Sequence, residues 1–213
     1  MNLASYIDHT LLKPEATPKD VEHLCKEAVK HNFAAVCVNP IYVRLCSTLI
    51  SGSPTGLATV VGFPLGANTS SIKTREAWEA INDGATEIDM VIALGFLKAG
   101  RYKEVANDIA EVVRICEDRC VKVIFETALL TKEEIIKACD ISISAGAKFV
   151  KTSTGFSSRG ATLEDIEIMR KAVGAKCKIK ASGGIRTRDQ ALAMIKAGAD
   201  RIGTSSGVLI VNG

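Results

Sequence analysis

Two lysines and one aspartate in this 213-residue chain stand where a nucleophilic amine and a proton relay could operate. Lys151 lies in FVKTSTGF, Lys180 in KIKASGGIR and Asp89 in EIDMVI. An amine attacks a carbonyl only when it is neutral, whereas an ordinary lysine has a pKa of about 10.4 and is protonated at neutral pH. Burial and a second ammonium group both lower that pKa, so two neighbouring lysines predict a Schiff-base nucleophile. Asp89 would then move protons on and off the bound carbon skeleton.

Three glycine-bearing turns follow the last three apolar runs of the chain. They are KTSTGF with Thr154 and Gly155, KASGGIR with Gly183 and Gly184, and GTSSG with Ser205 and Ser206. Small residues let backbone N–H groups approach an anion closely, and serine hydroxyls add donors. Each turn alone could be only a tight turn, but together they predict a cradle for a phosphate group. Arg186, after the second turn, would either anchor the same anion or pair at the surface.

Short apolar runs alternate with helical patterns along the whole chain, as is typical of a parallel sheet built from βα units. We predict eight strands, at residues 6–11, 34–38, 57–61, 87–92, 121–126, 148–152, 177–181 and 200–204. Four of the amphipathic helices should begin at threonine N-caps followed by a proline or acidic first turn, at Thr17, Thr131, Thr162 and Thr187. Three segments should end in a glycine that closes a helix, at Gly84, Gly146 and Gly198.

Eight parallel strands could close into a barrel or form an open, doubly wound sheet. No Gly-x-Gly-x-x-Gly segment follows the first strand and the strands are nearly evenly spaced, which favours an α/β fold of the (β/α)8 TIM-barrel type. No linker or low-complexity tract interrupts the series, so residues 1–213 are predicted to form a single domain. The chemistry of such barrels lies at the C-terminal ends of the strands, where the lysines, Asp89 and the three turns would meet.

Successive side chains of a strand point to opposite faces, and this alternation, here called parity, predicts which side chains face the barrel interior. The outer face must be apolar to receive the helices, so residues that flank Ile88, Val150 and Ile179 should point inward. The same count applied to four of the strands gives an inward set of Glu87, Asp89, Lys122, Glu126, Lys151, Lys178 and Lys180. Buried charges are costly unless they are paired. For Lys122, Lys178, Glu87 and Glu126 the alternative is a salt-bridge network that only fills the lower layers of the barrel.

Composition limits the classes of partner. The net charge is +3, and the basic residues are interspersed with acidic ones, so we expect neither a nucleic-acid nor a membrane partner. The seven cysteines form no Cys-x-x-Cys pair and no signal-peptide pattern opens the chain, so reduced thiols in a cytoplasmic protein are expected. No trio of His and carboxylate residues has the spacing of metal ligands, and we expect no metal and no cofactor.

The chain resembles the deoxyribose-phosphate aldolases, a family of class I aldolases with the TIM-barrel fold. The resemblance spans nearly the whole chain and is carried by DHTLLKPEAT, EIDMVI, KVIFET, FVKTSTGF, KASGGIR and RIGTSSG. It implies that Lys151 forms the Schiff base, that Lys180 lowers the pKa of Lys151, and that Asp89 relays protons through water. It also implies a small phosphorylated sugar as substrate, 2-deoxy-D-ribose 5-phosphate, cleaved reversibly to acetaldehyde and D-glyceraldehyde 3-phosphate.

The resemblance gives roles to further residues. Gly155, Gly183, Gly184, Ser205 and Ser206 would hold the phosphate, with Thr154 in the same turn as Gly155. Asp8 and Thr10 would lie near the substrate hydroxyls, although a capping or hydrogen-bonding role is equally compatible. Cys37 would lie near the site as a packing residue. A homodimer or higher homo-oligomer is expected because closed two-fold assemblies are the commonest.

Three other functions remain open from the residues alone. Sugar-phosphate isomerases and epimerases share the barrel and the phosphate site, but they need a base and not a paired-lysine nucleophile. A silent sugar-phosphate binding protein would have no use for two inward lysines. Another Schiff-base aldolase, acting on a different aldehyde donor, would use the same residues.

Overall fold

The computed structural model describes residues 2–213, whose eight strands form a closed barrel in the order of the sequence. The strands are β1 (Ile7–Leu11), β2 (Ala35–Val38), β3 (Gly56–Val61), β4 (Glu87–Val91), β5 (Cys120–Ile124), β6 (Phe149–Lys151), β7 (Lys178–Ser182) and β8 (Arg201–Thr204). All adjacent strands are parallel, and β8 closes on β1. The predicted TIM barrel is confirmed, and no strand end differs from its predicted position by more than 2 residues.

Helices follow the strands around the outside of the barrel. They are α1 (Pro18–His31), α2 (Val43–Leu49), α3 (Ser70–Asn82), α4 (Leu94–Lys98), α5 (Tyr102–Cys116), α6 (Lys132–Ser144), α7 (Leu163–Val173), α8 (Arg188–Ala197) and α9 (Gly207–Asn212). The predicted threonine caps are confirmed, because Thr17, Thr131, Thr162 and Thr187 each accept a hydrogen bond from the backbone N–H three residues later. The glycines after α3, α6 and α8 have φ values of 108°, 88° and 121°, conformations that other residues rarely adopt.

The main apolar core lies between the outer face of the strands and the helices. Ile88, Val150 and Ile179 are fully buried in it, which confirms the outward direction that parity gave them. His9 also faces this layer, where its Nε2 lies 2.8 Å from Glu27 Oε2 on α1 and its ring packs against Phe33. The helices therefore hold the barrel from outside and leave its interior to other side chains.

The barrel interior has a small apolar part and a charged part. Cys37, Ala58 and Val60 on β2 and β3 form a separate buried cluster with Leu12. The strands from β4 to β8 contribute long charged side chains, and these reach across the barrel: Lys180 on β7 contacts Asp89 on β4. Small side chains on one side of the barrel thus leave room for extended lysines from the other.

Candidate active site

The three residues predicted to carry the chemistry meet at one carboxylate group. Asp89 Oδ2 accepts hydrogen bonds from Lys151 Nζ at 2.9 Å and from Lys180 Nζ at 2.7 Å. Asp89 Oδ1 accepts a third hydrogen bond, from Lys122 Nζ at 2.8 Å. The strand register pairs Lys151 directly with Lys180 across β6 and β7. The two amines therefore share one acid and lie on neighbouring strands.

A second acid, Asp8 on β1, lies beside Lys180. Asp8 Oδ2 is 2.5 Å from Lys180 Nζ, and Asp8 Oδ1 accepts a hydrogen bond from Arg201. Arg201 also donates to Glu87 Oε1 at 3.0 Å, and Glu87 in turn pairs with Lys122. Asp8 is fully buried below the cavity described next, so the structure places it against Lys180 and not among the cavity-lining residues.

The ion cluster holds one more basic group than acidic groups. Its members are Lys122, Lys151, Lys180 and Arg201 on one side and Asp8, Glu87 and Asp89 on the other. A net charge in a buried cluster is costly, and the cluster is balanced when one basic group is neutral. Lys151 contacts a single carboxylate, whereas Lys180 contacts two. Lys151 is thus the amine that loses its proton most readily.

The pKa shifts follow the same order. Burial lowers the pKa of Lys151 below its ordinary value; Asp89 opposes this effect and the Lys180 ammonium adds to it. Burial also disfavours the charged form of Lys180, but Asp8 and Asp89 outweigh it and raise the pKa of Lys180. Burial alone would raise the pKa of Asp89, but the three surrounding lysines hold it well below its ordinary value. At neutral pH, Lys180 and Asp89 are therefore charged, and Lys151 is the amine closest to its neutral form.

A cavity of about 410 Å³ opens above Lys151 at the C-terminal ends of the strands. Lys151 is only 2% exposed and forms part of the cavity wall. The other predicted residues that line this cavity are Thr10, Thr154, Gly155, Gly183, Gly184 and Ser205. Asp89 and Lys180 are fully buried behind the Lys151 amine. The Lys151 amine is therefore the group of the cluster that a ligand in the cavity would meet.

Four residues that line this cavity have backbone N–H groups without a hydrogen-bond partner in the described chain. Within residues 2–213, the N–H groups of Gly155, Gly183, Gly184 and Ser205 donate no hydrogen bond. The three glycines have φ values of 88°, 86° and 79°, so a side chain at any of them would strain the turn. Free N–H groups that converge on one cavity can bind an anion. This arrangement fits the predicted phosphate cradle.

Other residues of the predicted cradle have different positions. The Thr154 hydroxyl is already engaged, since it donates to Glu126 and accepts from the Phe156 N–H at 3.0 Å. Ser206 does not line the cavity, and its N–H donates to Thr204 Oγ1 at 2.9 Å. Thr10 lines the cavity, while its hydroxyl donates to the Asp8 carbonyl oxygen at 2.8 Å. Arg186 reaches the cavity from its exposed rim.

The salt-bridge network is only partly the predicted one. Lys122 and Glu87 belong to it, but Lys178 does not: it is exposed at the start of β7, where it lines a cavity of about 790 Å³ at the N-terminal ends of the strands. Glu126 also lies outside the network, because β5 ends at Ile124 and the Glu126 carboxylate bonds to Thr154. Parity does not apply to Glu126, because it lies beyond the end of β5. Lys178 does have the inward direction that parity gave it, since its Nζ lies over the Phe149 ring, 5.7 Å from the ring centroid, but it stays at the open N-terminal end of the barrel.

Two members of the site were missed by the sequence analysis. Arg201 belongs to the ion cluster, and Gly203 makes room for Lys180, since a Cβ atom at Gly203 would lie 2.9 Å from Lys180 Cε. Both residues are on β8, two positions apart, and parity applied to that strand would have placed them on the inner face. Cys37 is fully buried, and burial raises the pKa of its thiol.

Among residues 2–213, no group of three or more His, Cys, Asp or Glu side chains is arranged to hold a metal ion. In the same described range, no helix has both the length and the apolar character to cross a membrane.

Comparison with known proteins decides the family. The model of the DeoC/LacD family aldolases matches residues 3–211. This chain belongs to that family. A DeoC/LacD aldolase is a lyase that breaks a carbon–carbon bond, so family membership argues against the isomerase and the silent binding protein.

Similar proteins carry a common name. A relative from Brevibacillus brevis, named deoxyribose-phosphate aldolase, is 55% identical over 213 residues, which cover 100% of this chain and 96% of the relative. A relative of the same name from Thermococcus gammatolerans is 55% identical over 217 residues, with the same coverage. The solved structure of deoxyribose phosphate aldolase from Aeropyrum pernix, described as tetrameric, has a TM-score of 0.93 and 36% identity, and the match covers 99% of this chain and 89% of that one.

Proposed function

We propose that this DeoC/LacD aldolase reversibly cleaves 2-deoxy-D-ribose 5-phosphate to acetaldehyde and D-glyceraldehyde 3-phosphate through a Schiff base on Lys151. The observation that carries the mechanism is the Lys151 amine itself, which lines the cavity, contacts Asp89 at 2.9 Å and has a lowered pKa. The substrate is supported by the name that the relatives at 55% identity share. In this role the enzyme would act in deoxyribonucleotide catabolism.

The proposed reaction begins when neutral Lys151 Nζ attacks the C1 aldehyde of the sugar. Loss of water leaves a protonated imine, which accepts the electron pair of the C2–C3 bond as that bond breaks. The C3 hydroxyl gives up its proton, and D-glyceraldehyde 3-phosphate leaves. The remaining enamine takes a proton at C2, and water then hydrolyses the imine, releasing acetaldehyde and the free amine.

Asp89 and Lys180 serve the proton transfers in this proposal. Asp89 Oδ2 lies beside both amines and would take the C3 hydroxyl proton through a water molecule. Lys180, kept charged by Asp8, would lower the pKa of Lys151 and supply a proton to the enamine. When Lys151 becomes a cationic imine, the same Asp89 carboxylate stabilises the new charge.

The phosphate would bind to the free N–H groups of Gly155, Gly183, Gly184 and Ser205. Arg186 and Lys13 lie at the rim of the same cavity and add positive charge. Binding the phosphate there would fix the opposite end of the sugar, its C1 aldehyde, against Lys151. Such positioning converts remote binding energy into a faster chemical step.

A homo-oligomer belongs to the proposal. The Aeropyrum pernix relative is described as tetrameric. Ile41 and Leu65, on the segments after β2 and β3, are 79% and 71% exposed and offer apolar contacts to a second copy. Sedimentation equilibrium should give a mass that is a multiple of the monomer; a monomer at micromolar concentration would contradict this part.

The proposed activity can be tested by following both products by NMR. The protein is incubated with 2-deoxy-D-ribose 5-phosphate, and in the reverse direction D-glyceraldehyde 3-phosphate is offered acetaldehyde, pyruvate or dihydroxyacetone. We expect equimolar acetaldehyde and D-glyceraldehyde 3-phosphate, and condensation with acetaldehyde only. Lys151→Met should lower kcat by at least about a thousandfold, whereas Lys148→Met, an exposed lysine at the other end of the barrel, should not. Conversion of the sugar to its ketose isomer, or preference for another donor, would contradict the proposal.

A further inference from the structure

We infer that Glu126 is a positioning residue for the phosphate cradle, because through Thr154 it holds the turn after β6 in the shape that presents the Gly155 N–H to the substrate. The inference rests on the proposed function, since it concerns binding of the phosphate group of that substrate. Glu126 does not line the cavity, so it acts on the ligand only through other residues.

The backbone at Glu126 has an uncommon conformation. Its φ of 57° lies in the left-handed region, which non-glycine residues adopt only at a cost in free energy. Asn32 and Glu117 share this feature but are exposed at helix ends, whereas Glu126 is 3% exposed. The N–H groups on either side, of Phe125 and Thr127, donate to Lys151 O and Thr152 O at 2.9 and 3.0 Å. The backbone on both sides of Glu126 is therefore hydrogen-bonded to the segment that carries Lys151.

The Glu126 side chain continues this connection into the turn. Its Oε2 atom accepts hydrogen bonds from the N–H of Thr154, at 3.3 Å, and from the Thr154 hydroxyl. The hydroxyl in turn accepts from the Phe156 N–H at 3.0 Å. Both neighbours of Gly155 are thus fixed, while Gly155 lines the cavity and its own N–H donates no hydrogen bond within the described chain. One carboxylate oxygen thereby orders a three-residue turn around one anion donor.

The next residue, Thr127, secures the far end of the same loop. Its hydroxyl donates to Asp165 Oδ2 at 2.9 Å, and Arg159 donates to Asp165 Oδ2 at 2.5 Å and to Thr127 O at 3.1 Å. Consecutive residues at the end of β5 therefore hold both ends of the loop between β6 and α7. Glu126 holds the end that contributes to the cradle.

A buried acid behind an anion site has two opposite effects. Through space, a carboxylate repels a phosphate group, so its removal would strengthen phosphate binding. Through the hydrogen bonds to Thr154, it keeps the donor in place, so its removal would weaken binding. Glu126 Oε1 is buried and, within the described residues, has no hydrogen-bond partner. Glutamine at this position keeps one acceptor oxygen for Thr154 without the charge, and it separates the two effects.

The experiment measures steady-state kinetics of Glu126→Ala, Glu126→Gln and Thr154→Val with 2-deoxy-D-ribose 5-phosphate and with unphosphorylated 2-deoxy-D-ribose. We expect Glu126→Ala and Thr154→Val each to raise KM for the phosphorylated sugar about tenfold, the effect of losing one charge-assisted hydrogen bond, with kcat changed less than about twofold. Activity on the unphosphorylated sugar should not change. Glu126→Gln should restore most of the binding, and the double variant should be no worse than either single one.

Glu164→Ala is the matched control, since it removes an exposed acid from the first turn of α7, and its kinetics should equal those of the wild type. A lower KM in Glu126→Ala, or equal losses on both sugars, would overturn the inference. If Glu126→Ala does not fold, Thr154→Val carries the same prediction. A wild-type protein that cleaves neither sugar would overturn the proposed function itself. If the wild type is active but the variants lose activity equally on the phosphorylated and the unphosphorylated sugar, this inference alone is overturned.

Discussion

Lys151 and Lys180 are the same residue type on neighbouring strands, and they differ in the acids that they contact. Lys180 contacts Asp8 and Asp89, which raise its pKa. Lys151 contacts only Asp89, and its pKa is lowered by burial and by the Lys180 ammonium. The residues alone indicated a pair of lysines, and only the resemblance to known aldolases assigned one role to each. The contacts explain why a nucleophile in this pair would be Lys151.

Replacing Lys180 should change the pH dependence of the reaction. In Lys180→Met the positive charge that lowers the pKa of Lys151 is gone while Asp89 remains, so that pKa rises. The amine must be neutral to attack, so the acid limb of kcat/KM should move to higher pH. The profile is best measured with 2-deoxy-D-ribose, which has no titrating phosphate. Lys178→Met replaces an exposed lysine two positions earlier on the same strand and should not move the acid limb of the kcat/KM profile. If the acid limb does not move in Lys180→Met either, the role of Lys180 is contradicted.

At the scale of the elements, the strands and helix starts could be predicted because each has a local cause. Alternating apolar runs mark the strands, and threonine caps with acidic or proline first turns mark helix starts. Lys178 and Glu126 lie outside the predicted network for different reasons. Parity applies only where the chain is extended, which excludes Glu126, whereas Lys178 faces inward but lies at the open N-terminal end of the barrel. Lys178 is the first residue of β7, and Glu126 has a φ of 57° beyond the end of β5.

The contacts within the site could not be predicted to the same extent. Lys180 on β7 contacts Asp89 on β4 with two strands between them, and such a contact depends on the register and curvature of the closed sheet. The inward direction of Lys151, Lys180 and Asp89 was accessible from sequence, whereas the sharing of one carboxylate was not. The same holds for Asp8, which parity alone could not assign to Lys180.

The turns after β6 and β7 should depend on each other through a close backbone contact. A Cβ atom at Gly183 would lie 2.8 Å from Gly160 Cα, and Gly183 has a φ of 86°. We expect Gly183→Ala to lower the free energy of unfolding by about 1–3 kcal/mol and to raise KM for the phosphorylated sugar. Gly174→Ala is the control for backbone strain alone, since its φ is 53° but no atom lies within 4 Å of the added Cβ. Equal KM values in the two variants would argue against coupled turns.

At the scale of the whole molecule, the buried ion cluster joins β1 to strands β4 through β8. Surrounding cations hold the pKa values of Asp8 and Asp89 below the ordinary value of 3.8 despite burial. A carboxylate with a lowered pKa in the folded state stabilises the fold above its unfolded pKa, and this contribution is lost as the pH falls through the folded value. The free energy of unfolding should therefore decrease with acidification below about pH 4.

Asp89→Asn should weaken the fold at neutral pH. The substitution leaves Lys122, Lys151 and Lys180 without their common counter-charge, and breaking a buried ion pair costs about 3–5 kcal/mol. Guanidinium denaturation at pH 7 measures this loss, and the same series below pH 4 should show a weaker acid dependence than the wild type. Asp83→Asn, which breaks an exposed pair with Arg44, should cost about 0–1 kcal/mol. Equal losses in the two variants would contradict the structural role of the cluster.

Trapping the Schiff base tests the proposed role of Lys151 directly. The protein is mixed with equimolar acetaldehyde, reduced with borohydride and examined by intact and peptide mass analysis, with Lys151→Met treated in parallel. We expect one N-ethyl group per chain, located on Lys151 and absent from the variant. An adduct on Lys180 or Lys13, or no adduct on a protein that cleaves 2-deoxy-D-ribose 5-phosphate, would contradict it.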